Sequence, residues 1–420
     1  MAPATWCRTS PAQQPATAGV DMALMPLDQA LQQLLQQADQ LGPTPIETQP
    51  AETALGRILA SPVIARQTLP PWPNSAMDGY AVRSAEVVPG QPLPVSQKVF
   101  AGQMPAALQP GTCARIFTGA PLPDGADAVE MQENVQLDSE GRALFAQVVS
   151  AGRFVRPAGE EAQPGQIKLE AGVRLGPVEL AQAASLGITQ LQVHRPLRVA
   201  VLSTGDELVE PGQKLGPGQI YNSNRVLLGQ WLQRLGCEVL DLGCMPDDLQ
   251  EIRSRLAVLD GMDLLLSSGG VSVGEADYLG QLLREEGEVG FWKLALKPGK
   301  PVTFGSYQDV PFMGLPGNPV STLVTFAMLS RPYILRCMGV KDVTPKGFPV
   351  PVDFAVTEPG TRREFMRVGW RNGRAQQYDN QCSGILSSAA WADGLLEIPE
   401  NTTCQPGDLL TFYPFSELLG

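Results

Sequence analysis

The stretch DLLLSSGGVSVGEADY, from Asp263 to Tyr278, constrains the fold more than any other part of this chain. Three consecutive leucines at 264–266 read as a strand buried on both faces, as in a parallel sheet. The chain then passes through small residues and glycine, crosses Glu275 and Asp277, and re-enters a helical pattern over 278–286. A glycine-rich strand-to-helix loop presents backbone N–H groups at a helix start, where a phosphate is well held. Acids in the same loop would repel a bare phosphate. A divalent cation removes the conflict, because Mg²⁺ typically takes one or two carboxylates together with phosphate oxygens. The loop therefore predicts a metal-assisted site for a phosphorylated ligand.

Its surroundings predict an α/β unit. Segments 197–203 (LRVAVLS), 238–242 and 264–267 read as strands, alternating with helical patterns over 224–235, 249–259 and 278–286. Such alternation gives a parallel sheet covered on both faces, with ligands outside the carboxyl ends of the strands. Elsewhere the texture differs. Residues 24–41 form an amphipathic helix with leucines at 27, 31, 34, 35 and 41, closed by Pro43 and Pro45. From 50 to 195 short strands lie between turn signals, with one short helix over 179–186, and short strands return after Pro345. A chain of 420 residues suggests two to four domains.

Composition excludes several classes. A net charge of −12 argues against nonspecific nucleic-acid binding, so any anion site must be a local basic cluster. Seven cysteines without a Cys-x-x-Cys pair argue against a disulfide framework or zinc site and for a reducing compartment. The single His194 precludes a multi-histidine metal centre and reads as structural. No apolar run approaches the ~18 residues of a membrane span. Residues 1–20 lack the basic and apolar regions of a secretory signal. They are expected to be a disordered extension, or the product of a start placed too early, with Met22 or Met25 as alternative starts.

Four further constellations cluster around the sheet edge in this reading. Ser203-Thr204-Gly205-Asp206-Glu207 offers hydroxyls, glycine and acids after the first strand; a plain polar loop is the alternative. Pro246-Asp247-Asp248 follows the second strand, where Asp also serves as a helix N-cap. In WKLALKPGK, Lys293, Ala295 and Lys297 share one face of an expected strand, opposite Trp292, Leu294 and Leu296. Two lysines about 13 Å apart on a straight strand suit the two ends of a long ligand, or a merely solvated face. Pro316-Gly317-Asn318-Pro319 opens a helix expected over 322–331, its prolines leaving the N–H groups of Gly317 and Asn318 to hold an oxyanion. Read alone, Ser75–Tyr80 and Phe117–Pro123 are turns.

Together, SAMDGYAV, IFTGAPLPDGADAVEMQE, STGDEL, SSGGVSVGEADY, WKLALKPGKP, GLPGNPVS and SGILSS resemble the molybdopterin molybdenumtransferase (MoeA and gephyrin E-domain) family, in order and over nearly the whole chain. The resemblance implies a multidomain α/β plus β fold with elongated subunits. Its parts would be 21–70 with 159–195 (helix plus β), 71–158 (β-rich), 196–343 (a central αβα molybdopterin-binding domain) and 344–420 (a small β-barrel-like domain). It implies a cytoplasmic homodimer whose partner subunit helps to complete the cleft. It implies Mg²⁺-dependent insertion of molybdate into adenylylated molybdopterin with release of AMP, and transient contact with other molybdenum-cofactor biosynthesis proteins and molybdoenzyme maturation factors. Neither nucleic acid nor membrane is implied.

The family roles transfer residue by residue. Asp78, Thr118, Glu207, Asp247, Asp277, Lys293 and Lys297 match catalytic positions, with Glu207, Asp247 and Asp277 as the metal-holding acids. Ser203, Thr204, Gly205, Ser268, Gly269, Gly270, Pro316, Gly317, Asn318 and Pro319 match substrate-binding positions of the cleft. Arg367 and Ser383 match positions facing the oxyanion. Glu161 stands where many relatives have aspartate, and Cys382 precedes Ser383 where relatives carry glycine; Cys382 is not assigned as a ligand. The alternatives are a nucleotide pyrophosphatase on the same αβα domain and a scaffold protein.

Overall fold

The computed structural model describes residues 24–246, 248–270 and 278–419. The expected extension at 1–20, Met22, Asp247 and the 271–277 part of the glycine-rich loop, including Asp277, lie outside the described residues.

Helix α1 (Leu27–Leu41) follows Pro26 and buries Leu27, Ala30, Leu34 and Ala38, spaced at three and four residues so that they share one face. Between α1 and the central domain, Ile46–Pro50 pairs antiparallel with Gln190–His194, and Val63–Ile64 pairs with Ile167–Leu169. The imidazole of His194 is buried, its Nδ1 donates to the Thr44 carbonyl at 2.6 Å, and its ring lies against Gly339. The one histidine is thus structural. Residues 74–156 form a separate β unit whose four-stranded sheet contains Gly79–Val82 and Cys113–Ile116.

The central domain contributes β1 (Arg198–Thr204), α2 (Ser223–Leu235), β2 (Glu238–Met245), α3 (Leu249–Leu256), β3 (Leu264–Ser268), α4 (Tyr278–Glu286), β4 (Gly287–Lys293), β5 (Pro301–Tyr307) and β6 (Val310–Leu315). The sheet order is β2-β1-β3-β6-β5-β4. The first four strands are mutually parallel, as expected, but β5 runs antiparallel to both neighbours, so the sheet is mixed. The β4–β5–β6 end needs only short connections, and antiparallel pairs tolerate those.

Alternate residues of the strands serve opposite faces. Val199, Val201, Leu264, Leu266, Met313 and Leu315 pack with Leu228 and Leu232 of α2. Ala200, Leu202, Leu265 and Phe312 pack with Ile252 and Leu256 of α3 and Leu282 and Leu283 of α4. Each fully buried leucine contributes about 1.5–3 kcal/mol, so burial on both faces fixes the strand register. Asn222 caps α2 by accepting from the Arg225 amide (3.2 Å), and Asp248 caps α3 by accepting from the Glu251 amide (2.9 Å).

Two expectations change. The helix expected over 322–331 starts earlier, at Pro319, and continues through a π-helical stretch at Phe326–Ser330 to Cys337. The single alternating strand expected over 292–300 does not exist. Strand β4 ends at Lys293, while Leu294, Ala295 and Leu296 are all buried. Leu296–Lys297 then pairs parallel with Arg363–Glu364 of the C-terminal domain. Lys293 and Lys297 therefore belong to two different sheets.

In the C-terminal domain, Arg363–Arg371, Gly394–Ile398, Leu409–Pro414 and Phe348–Pro351 follow one another across a sheet, and Arg374–Gln377 pairs with the first of them. A bridge from Val352 to Ala375 closes this path into a ring around Val350, Phe354, Val368, Leu396 and Phe412. The domain is a small barrel with two short helices, Leu386–Trp391 and Phe415–Leu418, beside it.

Gly79 gives a direct test of the β unit. It pairs with Ile116 on one side and Met131 on the other, and a Cβ added there would stand 1.9 Å from the Glu130 carbonyl oxygen. Gly79→Ala is expected to destabilise this unit by about 3 kcal/mol or more, read as a lower denaturant midpoint. Gly229 of α2, whose backbone is helical and around which the structure leaves open space for a Cβ, should tolerate Ala much better.

Candidate functional site

Parallel pairing lines up the ends of β2, β1, β3 and β6. Cys244, Ser203, Ser268 and Leu315 stand in one register row across the sheet. Beyond that row the chain leaves the strands at 205–207, at 246 and 248, at 269–270 and at 316–319, so four of the expected segments emerge from one edge.

The hydroxyls of Ser203 and Ser268 do not face outward. Both residues are buried, their Oγ atoms are 3.0 Å apart, and Ser203 also donates to Asn222 Oδ1 at 3.4 Å. These serines tie the strand ends together and orient the cap of α2. Thr204 is buried beside them, against Gly269 and Gly270. Those glycines have φ of +84° and +64°, and a Cβ on Gly270 would lie 2.9 Å from Thr204 Oγ1. The tight left-handed turn after β3 thus requires glycine. Glu207 is exposed and folds its carboxylate over Gly205, 2.5 Å from where a Cβ would stand.

The edge beside β2 is acidic. The Cys244 thiol is pushed up by burial, then by the nearby Glu210, Glu207 and Asp206 carboxylates. Arg225 bridges Glu210 (2.6 Å) and Asp241 (2.8 Å), and these hydrogen bonds hold its guanidinium firmly protonated. The described residues contain no group of three side chains able to hold a metal. Glu207 is described, whereas Asp247 and Asp277 are not. The oxygen donors present at this edge suit a hard cation such as Mg²⁺.

The Pro316–Pro319 turn is held through its carbonyls. Thr322 Oγ1 donates to the carbonyls of Pro316 (2.6 Å) and Asn318 (3.1 Å), and Asn224 Nδ2 donates to that of Gly317 (2.7 Å). Among the described residues, the exposed Gly317 and Asn318 amides have no hydrogen-bond acceptor. The turn's carbonyls are thus fixed from within the domain, while its two middle amides are left without an acceptor among the described residues. Sequence reasoning missed Asn222 and Asn224. Their signal was the polar run YNSNR where a helix begins.

The C-terminal domain reaches this turn. The Val320 amide donates to the Ser383 carbonyl at 3.0 Å. Arg367, matched above to a position facing the oxyanion, does not reach the surface. It is fully buried, with Nε donating to Ser388 Oγ (3.1 Å) and Nη2 to the Cys382 carbonyl (3.3 Å). Nη1 has no partner among the described residues, and burial holds the guanidinium pKa below its usual value. Arg367 shapes the loop that carries Ser383 rather than presenting its own charge.

The two lysines differ. Among the described residues Lys293 has no ion-pair partner, whereas the Lys297 ammonium contacts Glu364 Oε2 at 2.9 Å.

Asp78 and Thr118 lie elsewhere, in the β unit whose two small cores draw only on residues 80–155. Asp78 Oδ1 accepts from the Thr118 amide and from Thr118 Oγ1, both at 2.8 Å. Those two bonds, the backbone one first, lower the Asp78 pKa, and Arg115 adds to the effect. The neighbouring Gly119 lines a cavity of 470 Å³ with Pro70, Asn74, Arg156, Glu160 and Glu161. Glu161 itself pairs with Lys168 at 3.4 Å.

Thr118→Val should move the Asp78 pKa part of the way back toward 3.8, since the amide bond remains; carboxyl NMR titration reads it. The lowered folded-state pKa means the contact stabilises above the ordinary Asp value and is lost as pH falls through the lowered one. Unfolding at pH 7 should therefore be more sensitive to Thr118→Val than unfolding at pH 2. An unchanged Asp78 titration would contradict the assignment.

Comparison with known proteins now bears on this geometry. Three family models match in order: the MoeA N-terminal region (domain I and II) over 25–187, a probable molybdopterin binding domain over 200–336, and the MoeA C-terminal region (domain IV) over 349–415. The chain is 40% identical over 407 residues to a molybdopterin molybdenumtransferase of Haemophilus influenzae, covering 94% of this chain and all of the relative. It is 36% identical over 375 residues to molybdopterin molybdenumtransferase 2 of Mycobacterium tuberculosis, covering 84% of this chain and 91% of the relative. The crystal structure of a molybdopterin biosynthesis MoeA protein from Pyrococcus horikoshii superposes with a TM-score of 0.80 at 26% identity, covering 93% of this chain and all of that one.

Proposed function

The chain belongs to the MoeA family of molybdopterin molybdenumtransferases, and from that premise we propose that it inserts molybdenum into molybdopterin during molybdenum-cofactor biosynthesis. We propose further that the substrate is adenylylated molybdopterin, that molybdate is the metal source, and that AMP is released. The observation that carries this reading is the Pro316–Pro319 turn at the carboxyl edge of the sheet: two exposed residues whose amides have no acceptor among the described residues, held by Asn224 and joined to the Ser383 loop.

A tetrahedral dianion calls for N–H and O–H donors and cationic side chains. Gly317 and Asn318 supply amides, Ser383 a hydroxyl, and Lys293 and Lys297 positive charge for the oxyanion and the phosphates. Glu207, with Asp247 and Asp277, would hold Mg²⁺. When bound, the ion polarises a phosphoryl oxygen of the bond to be cleaved. The sulfurs that receive molybdenum belong to the substrate, so the protein needs no thiolate ligand. Burial accordingly pushes the Cys113, Cys237 and Cys337 thiols up to about 12, which keeps them protonated.

Asp78 and Thr118 sit in a separately cored unit, and Gly119 beside Thr118 lines a cavity with Glu161. They fit a homodimer in which this unit of one subunit closes the cleft of its partner. Among the described residues no helix is long and apolar enough to cross a membrane. The family reading places the reaction in the cytoplasm, with hand-over to other cofactor-biosynthesis and molybdoenzyme-maturation proteins.

The direct test follows AMP release from adenylylated molybdopterin with Mg²⁺, with and without molybdate. Molybdate-dependent release with molybdenum appearing on the pterin is expected; release indifferent to molybdate, or binding without release, would overturn the proposal. Asp277→Asn should raise the Mg²⁺ concentration for half-maximal rate roughly tenfold or more, since even groups that only support metal ligands are worth that much. An unchanged Mg²⁺ dependence would remove Asp277 from the metal site.

A further inference from the structure

Arg363 and Glu364 pair with the segment that carries Lys297, and no motif marks them in the chain. Arg363 and Glu364 are adjacent on a strand, so their side chains leave on opposite faces. Arg363 is a structural tie: it pairs with Asp28 of α1 (2.8 Å), Glu397 (3.3 Å) and Glu400 (3.4 Å). Glu364 makes one ion pair among the described residues, with Lys297 at 2.9 Å, and its charge also acts on the buried Arg367 without a direct contact.

This pair is not needed to hold the chain in place. Leu296–Lys297 is already fixed by backbone pairing with Arg363–Glu364, and the Arg363 amide donates to the Ala295 carbonyl at 2.9 Å. The Lys297 side chain is 51% exposed, so the ion pair adds little to stability. An ammonium has three donors, and one contact to Glu364 leaves the others for a ligand. Yet Glu364 offsets the charge that Lys297 would offer to an anion. The carboxylate is the less exposed partner, at 20%, and moves away from the ammonium less easily than the lysine does.

We propose that Glu364 is a competing counter-ion that sets how strongly the cleft binds its oxyanion. In the ligand-free protein Glu364 holds and partly neutralises Lys297; an incoming anion draws the ammonium away. Anion affinity is reduced by the free energy of the pair, as for any ligand that must shift a pre-existing equilibrium. The inference rests on the reading that Lys297 serves the anion cleft, and it adds a residue that acts on the anion only through Lys297.

The experiment measures the molybdate KM in the AMP-release reaction for four proteins: the natural chain, Glu364→Gln, Lys297→Met and the double variant. Glu364→Gln should lower the molybdate KM about two- to fivefold, the range of a weak exposed pair. Added salt should weaken molybdate binding more steeply in that variant, because an uncompensated charge is screened more. In the Lys297→Met background Glu364→Gln should change KM by less than the experimental scatter. An unchanged or raised KM for Glu364→Gln, or the full drop persisting without Lys297, overturns the inference while leaving the cleft reading intact. An unchanged KM for Lys297→Met instead overturns the placement of Lys297 in the cleft, and the inference with it. Thermal unfolding of Glu364→Gln checks folding and should match the natural chain within a few degrees.

Discussion

Residues 293–297 pair with three parts of the molecule at once, and the position of the cleft depends on that crossing. The Met25 amide donates to the Lys293 carbonyl, and the Ala295 amide to that of Met25, both at 2.8 Å. The Arg363 amide then takes the Ala295 carbonyl, and Leu296–Lys297 joins the C-terminal sheet. Leu294 and Leu296 are wholly buried. Backbone groups so placed cannot turn to water, and an unpaired one is costly. A one-residue slip would break several of these bonds together. The crossing therefore sets the C-terminal barrel against the carboxyl edge, and the Ser383 carbonyl meets Val320 as a consequence.

The arrangement also shows how an acidic protein can handle anions. Its net charge is −12, and the edge beside β2 gathers Asp206, Glu207 and Glu210. The proposed anion donors lie along the opposite side of that edge: two backbone amides, a hydroxyl and two lysines, one of them already countered by a carboxylate. Fixed amide dipoles attract an oxyanion without a large positive field, so they are compatible with acids placed to hold a cation nearby.

Much of this was legible in the residues. Leucines 264–266 announced a buried strand, and the strand–helix alternation after Pro196 announced the sheet and its ligand edge. Those signals are local: periodicity, glycine and proline chemistry, and runs of apolar residues. The errors came where tertiary partners decide. Lys293 and Lys297 alternate along the sequence like one strand, but the chain changes sheets between them, and no local pattern marks a change of partner. Arg367 reads as a charge for an oxyanion, yet it is fully buried, with Nε and Nη2 bonded to Ser388 and the Cys382 carbonyl. Ser203 and Ser268 read as ligand hydroxyls, yet register brings them face to face. Asn224 carried only the signature of a helix start; that it holds Gly317, 93 residues on, follows from the sheet order.

The most direct test of the account is amide hydrogen exchange on the full chain, with and without bound molybdopterin. If the ligand occupies the carboxyl edge beneath the Pro316–Pro319 turn, protection should rise at Gly205–Glu207, at Gly317 and Asn318, and in the loop around Ser383. Protection confined to the unit that carries Asp78 and Thr118, with the sheet edge unchanged, would contradict it.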